Sequence, residues 1–237
     1  MVRIDRNRVR EMFSDIAPTY DLLNRLLSLG LDQIWRRTAV RSLLDCLDGR
    51  EGGRLLDLAA GTADAALEMR RRLRGRERVR VAGADISLPM LQRGREKVCR
   101  REVRIGLLQA DALALPFPDG AFDGALIAFG LRNLTDRSAG LVEMARVLRP
   151  GGRLVVLEFG RPEGLFGGMY RAYFRFVLPP VGWLVSRHPT AYNYLPASVY
   201  DFPDPEALSA MMRGAGFGAV QNVPMTGGIV QIHVGDR

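Results

Sequence analysis

The stretch Arg54-Leu-Leu-Asp-Leu-Ala-Ala-Gly-Thr-Ala-Asp64 decides the fold. Leu55 and Leu56 begin an apolar strand, and Asp57 stands near its carboxyl end. Ala59, Ala60, Gly61 and Ala63 make a tight turn of very small side chains. A helical pattern follows through Ala65, Ala66, Leu67 and Met69. A strand feeding a helix through such a turn sets backbone N–H groups and a helix N-terminus against a ligand. Small turn residues by themselves also serve plain helix–strand packing, so the turn alone leaves both readings open.

The neighbouring strands tilt the balance. Val79-Arg-Val-Ala-Gly-Ala-Asp85 ends in a second acid, where dinucleotide folds carry a ribose-binding carboxylate. Leu107-Leu-Gln-Ala-Asp-Ala112 ends a third apolar run with Asp111. Three acids closing successive strands converge on one sheet edge. That edge suits a ligand with a ribose, an adenine amine and a cationic part. S-adenosylmethionine fits it better than NAD, because its sulfonium is positive and it has no pyrophosphate to demand the full glycine fingerprint.

Working outward, apolar strands over 54–58, 79–84, 104–109, 122–128 and 152–158 alternate with helices over 63–74, 88–101 and 136–148. Ser87 caps the second of these helices. Such alternation predicts a parallel sheet covered on both faces. Pro150-Gly151-Gly152 marks a turn before the fifth strand. A helix opened by Pro205 and closed by Gly214 and Gly216 precedes two final strands near 217–223 and 228–235. Ahead of the sheet, residues 5–47 read as helices, with Pro18 and Gly30 as breaks and Asp32 as a cap for the third. Residues 160–203 interrupt the rhythm with an aromatic helical pattern through Phe166, Tyr170, Tyr173, Phe174 and Phe176, which either packs on the sheet or covers an apolar pocket.

Length and composition bound the answer. The 237 residues suffice for one large domain, and 47% hydrophobic with 25% charged residues is ordinary for a globular protein. No apolar run reaches a membrane-spanning length, and the first residues lack the apolar core of a signal peptide, so the cytoplasm is the simplest compartment. Cys46 and Cys99 are expected as buried thiols, and the few Cys and His residues suggest no metal site. The net charge of +8 lies wholly in residues 1–104, which hold 23 Lys or Arg against 15 Asp or Glu. Anionic lipid or nucleic acid could draw on that charge, and solvated helix faces explain it equally well.

The chain resembles the ubiquinone/menaquinone-biosynthesis C-methyltransferases over nearly its whole length. The resemblance rests on Tyr20-Asp-Leu-Leu-Asn24, Ser28 and Trp35, then on Leu115-Pro-Phe-Pro-Asp-Gly-Ala-Phe-Asp123. Phe129-Gly-Leu-Arg-Asn-Leu-Thr-Asp136 and Arg146-Val-Leu-Arg-Pro-Gly-Gly-Arg-Leu-Val-Val-Leu-Glu158 continue it. Tyr194-Leu-Pro-Ala-Ser198, Phe202-Pro203 and Ala215-Gly-Phe217 complete it.

The resemblance implies a Rossmann-like α/β fold, the seven-stranded class I methyltransferase sheet. It implies a single domain over 1–237, with a helical cap (1–50) and the aromatic insertion (160–203) after the fifth strand. The implied reaction is methyl transfer from S-adenosyl-L-methionine to a prenylated quinol ring, demethylmenaquinol or a polyprenyl-benzoquinol. Cofactor contacts are expected from Thr62, Asp85, Asp111, Ala112 and Ala128, with Asp57 and Gly61 shaping the loop. Arg132, Asn133 and Tyr20 are the expected catalytic residues, and no metal is implied. Peripheral contact with an anionic membrane surface and a homodimer accompany this reading, and nucleic acid does not. Two other readings stay open: a methyltransferase of a soluble aromatic molecule, and a non-catalytic cofactor-binding homologue. Ala60 and Ala63 stand where the family usually has glycine, Ala128 and Gly160 where it commonly has serine. The extra methyls at Ala60 and Ala63 are expected to narrow the approach to the cofactor.

Overall fold

The computed structural model describes residues 11, 14–162, 164, 167–168, 172–173, 176 and 196–237. Within them α1 (Tyr20–Leu27) and α2 (Leu31–Leu44) precede β1 (Gly53–Leu58), α3 (Asp64–Arg72), β2 (Val79–Asp85), α4 (Leu88–Arg100) and β3 (Gly106–Gln109). Then come β4 (Phe122–Ala128), α5 (Arg137–Val147), β5 (Leu148–Phe159), α6 (Pro205–Gly214), β6 (Gln221–Met225) and β7 (Val230–Asp236). The strands form one seven-stranded sheet in the order β3-β2-β1-β4-β5-β7-β6. β1 pairs in parallel with both β2 and β4, whereas β7 runs antiparallel to β5 and β6. The Rossmann-like α/β sheet expected from the sequence is therefore present, with its closing hairpin.

Alternation along the strands explains the two cores. Leu55 and Leu126 point to one face, against Trp35, Val40 and Leu43 of α2 and Ala66 and Met69 of α3. Leu56 and Ile127 point to the other, against Leu141 and Met144 of α5 and Leu208 and Met212 of α6. Both faces are covered, so the central strands read as continuous apolar runs.

Several expectations shift. Asp32 does not cap α2; that helix starts at Leu31 behind Gly30, whose φ of 78° no side chain adopts readily. Asp32 instead accepts the Ser28 hydroxyl at 2.9 Å and pairs with Arg36. Pro150-Gly151 lies inside the pairing of β5, as a register shift between Phe122 and Gly124 of β4. β6 begins at Gln221 rather than 217, because Phe217 leaves the ladder to fill the core beside Met212. Pro224 is tolerated there because β6 is the edge strand. Cys99 is exposed, against the expectation of a buried thiol. Of the aromatic insertion, Phe166, Tyr170 and Phe174 lie outside the described residues; Tyr173 donates to the Leu27 carbonyl at 3.0 Å.

Candidate active site

The strand order reverses between β1 and β4, and in open parallel sheets ligands bind at the carboxyl edge of that switch point. A cleft opens there. Its walls come from the segments that follow four strands: Ala59 and Gly61 after β1, Asp85 to Ser87 at β2, Ala110 to Leu113 after β3, and Ala128 to Gly130 at β4. Asn133, Leu134 and Thr135 close one side, and Tyr20 of α1 the other.

The backbone pays a conformational cost at this edge. Ala59 and Phe129 hold left-handed conformations, with φ of 49° and 57°. Such strain persists only where surrounding contacts fix it, and it clusters at ligand sites. Here the contacts are visible. Phe129 N–H donates to the Leu157 carbonyl at 2.7 Å, and its own carbonyl accepts from Arg132 Nη1 and from Asn133 Nδ2 at 3.3 Å. Gly130 has no room for a side chain, since a Cβ would come within 2.5 Å of that of Ala59. The two loops touch, and the cleft lies over the contact.

Asp85 is the most buried acid of the lining, 9% exposed. Its two oxygens accept from Gly61 N–H and Ser87 N–H, each at 2.8 Å. Burial raises its pKa, and these backbone donors oppose the rise. Each carboxylate oxygen keeps a second lone pair for a hydroxyl. Asp111 also lines the cleft and accepts Leu113 N–H at 3.0 Å, next to Ala112. Gly61, Asp85, Asp111, Ala112, Ala128, Asn133 and Tyr20 are thus brought together on one cavity.

Three expected residues stand outside the lining. Asp57 faces the core, where its carboxylate accepts Ala66 N–H at 2.9 Å and so anchors the start of α3. Burial pushes its carboxyl up to about 7, with Ala66 N–H and Arg36 opposing. Thr62 is 2% exposed, and its hydroxyl donates to Asp21 at 2.6 Å and accepts from Lys97 at 2.8 Å. Arg132 lies beneath the loop after β4, paired with Glu158 at 3.0 Å, its guanidinium 5.3 Å from the Phe159 ring.

Ala60 and Ala63, expected to narrow the approach to the cofactor, are not among the residues lining the cleft. Ala60 packs where Gly83 lacks a side chain, and Ala63 packs against Gly94. Glycines on β2 and α4 make room for the alanines of the turn. Sequence reasoning missed Ser87, Met90 and Thr135 in the wall and Lys97 behind it; Thr135 lies in the stretch Phe129–Asp136, whereas Ser87, Met90 and Lys97 belong to no motif and only the tertiary structure gathers them.

Known proteins resemble this chain at two levels. A demethylmenaquinone methyltransferase of Thermus thermophilus is 55% identical over 227 residues, 95% of this chain and 100% of that protein. Another of the same name from Deinococcus radiodurans is 48% identical, covering 97% and 92%. The ubiquinone/menaquinone biosynthesis C-methyltransferase UbiE of Geobacter sulfurreducens is also 48% identical, covering 97% and 88%. Among solved structures, a SAM-dependent methyltransferase from Aquifex aeolicus superposes with a TM-score of 0.60 at 18% identity, covering 83% and 88%. The [4+2]-cyclase SpnF superposes with 0.67 at 18%, covering 97% and 94%. At such identities these structures speak for the fold alone, which hosts more than one chemistry. The profile of the ubiE/COQ5 methyltransferases matches residues 1–237, and with the full-length relatives it shows that this chain belongs to the ubiE/COQ5 methyltransferase family.

Proposed function

We propose that the protein transfers a methyl group from S-adenosylmethionine to a ring carbon of a prenylated quinol, demethylmenaquinol or a related polyprenyl-benzoquinol. The observation that carries this reading is the likeness to the Thermus demethylmenaquinone methyltransferase from end to end. The cleft supports it: small residues at the loop after β1, acids at β2 and β3, and a mainly apolar wall suit a nucleoside with a cationic tail. When bound, the cofactor supplies an electrophilic methyl group.

The residues of the chain then have separable tasks. Asp85, already held by two backbone donors, accepts ribose hydroxyls, and Asp111 with Ala112 borders the adenine. Asn133 and Tyr20 reach the cleft from the loop after β4 and from α1, placed to orient the acceptor ring and its hydroxyl. Phe129, pinned by Arg132, offers a fixed wall. Arg132 acts through that wall, because its own guanidinium is engaged by Glu158. A reduced ring attacks more readily as its hydroxyl proton leaves, and the cavity must hold that phenol oriented while excluding water.

A peripheral membrane contact belongs to the same reading. Among the described residues no helix is long and apolar enough to cross a membrane. Leu22, Leu26 and Leu29 are 59%, 44% and 80% exposed along α1 and the turn after it. Arg25 of the same helix lines a groove that also holds Arg37, Arg71, Arg74, Arg101 and Arg104, interspersed with Asp64, Glu68, Glu77 and Glu102. Exposed leucines on a helix that also carries Arg25 suit the interface of an anionic bilayer on the cytoplasmic side, from which a prenylated ring is drawn. The reading includes a homodimer, which the molar mass in solution tests. Deletion of the encoding gene tests the whole: the reading expects a quinone precursor lacking one ring methyl to accumulate, and an unchanged quinone pool would contradict it.

A further inference from the structure

Lys97, on α4, meets three acceptors from two other parts of the chain. Its ammonium lies 2.6 Å from Asp21 Oδ2, 2.6 Å from Asp64 Oδ1 and 2.8 Å from Thr62 Oγ1. An ammonium has three donors, so the set is complete. Thr62 passes the polarisation on by donating to Asp21 Oδ1 at 2.6 Å. Lys97 is 19% exposed and Asp21 32%, so the network is half-buried.

The connectivity gives the network a purpose. Asp21 sits in the first turn of α1, directly after Tyr20, which lines the cleft. Thr62 and Asp64 flank Ala63 at the start of α3, directly after Gly61, whose N–H holds Asp85. One ammonium therefore ties the helix whose Tyr20 closes one side of the cleft to the loop that contributes Ala59 and Gly61 to its lining. A second tie, Ser14 Oγ to Ser87 Oγ at 3.0 Å, joins the preceding segment to another residue of the wall.

We propose that Lys97 is a positioning residue that latches α1 over the cofactor cleft through Asp21, so that it sets cofactor retention and not the methyl-transfer step. The inference rests on the reading that the cleft takes S-adenosylmethionine. A latch of charge-assisted hydrogen bonds at partial exposure has two signatures. It weakens with salt, and its two ends depend on each other.

The test uses the full chain and S-adenosylhomocysteine as probe, by calorimetry, with steady-state kinetics on a reduced demethylquinone. Lys97→Met is expected to weaken probe binding about tenfold, the size of one lost charge-assisted bond. KM for S-adenosylmethionine should rise in step while kcat at saturation stays within about twofold, the pattern of binding shared by ground and transition states. Asp21→Asn should reproduce the loss, the double variant should add little to it, and Lys97→Arg should restore part. Wild-type affinity should fall with added salt more steeply than that of Lys97→Met. If Lys97→Met proves unstable, Asp21→Asn on the more exposed helix decides the matter alone. Equal affinity in Asp21→Asn and wild type overturns the latch, as does a fall in kcat with KM unchanged. Absence of probe binding to the wild-type protein overturns the cofactor reading itself.

Discussion

The Arg132 guanidinium and the Glu158 carboxylate meet at 3.0 Å where neither reaches solvent, their side chains 7% and 1% exposed. Glu158 also accepts Arg132 N–H at 3.1 Å, and Arg132 Nη1 holds the carbonyl of left-handed Phe129. The pair therefore braces the wall of the cleft from behind.

Removing one partner leaves the other charge buried alone, which costs about 3–5 kcal/mol. Arg132→Ala is expected to lower the unfolding temperature clearly and to lose cofactor binding together with activity. Glu158→Gln in the same chain should recover part of the stability, because no unpaired charge remains. Thermal unfolding checks this. An Arg132→Ala protein with wild-type stability and no turnover would return the residue to the direct catalytic role expected from sequence.

The fit between Ala63 and Gly94 gives a second expectation. A methyl at Gly94 would sit 3.2 Å from the Ala63 methyl and from the Thr62 backbone carbon. Gly94→Ala should destabilise by about 1–3 kcal/mol, as overpacking does. Adding Ala63→Gly removes one of the crowding atoms and relaxes a left-handed φ of 65°, so the double variant should be the more stable of the two. Denaturant midpoints measure it; a double variant weaker than Gly94→Ala would refute the packing account.

These two sites show where the sequence was legible. Hydrophobic periodicity located every strand of the sheet and α3 to α6 within a few residues, since strands buried on both faces and capped helices leave strong local patterns. Of the acids at strand ends, Asp85 and Asp111 both line the cleft. Direction was the part that no local pattern carries. Thr62 turns to Asp21, Arg132 turns inward to Glu158, and Asp57 turns to α3, because partners distant in sequence claim each group. The edge strand β6 starts later than expected for a related reason: Phe217, apolar enough for a strand, packs into the core.

Asp85→Ala removes the acceptor of two backbone N–H groups at 2.8 Å and the proposed partner of the ribose. S-adenosylhomocysteine affinity should fall at least about tenfold, each charge-assisted bond contributing about 1.5–3 kcal/mol. Calorimetry decides; unchanged affinity would remove Asp85 from the cofactor site.

Asp57 makes stability depend on pH. Burial raises its folded carboxyl to about 7, while the unfolded group titrates near the ordinary aspartate value of 3.8. Between those values the folded state binds more protons, so this contribution is full below the lower one and is lost as pH rises through 7. Asp57→Asn keeps an oxygen to accept Ala66 N–H and cannot titrate. Its unfolding free energy should therefore fall less than the wild type's between pH 5 and pH 8. Parallel pH profiles would show that Asp57 is not the source.

The most direct measurement of the central claim is transfer of labelled methyl from S-adenosylmethionine to a chemically reduced demethylmenaquinone presented in anionic vesicles. The account predicts one label per ring, on carbon, with little transfer to water-soluble hydroxylated aromatics. Labelling of the soluble aromatics with the prenylated quinol untouched would contradict it.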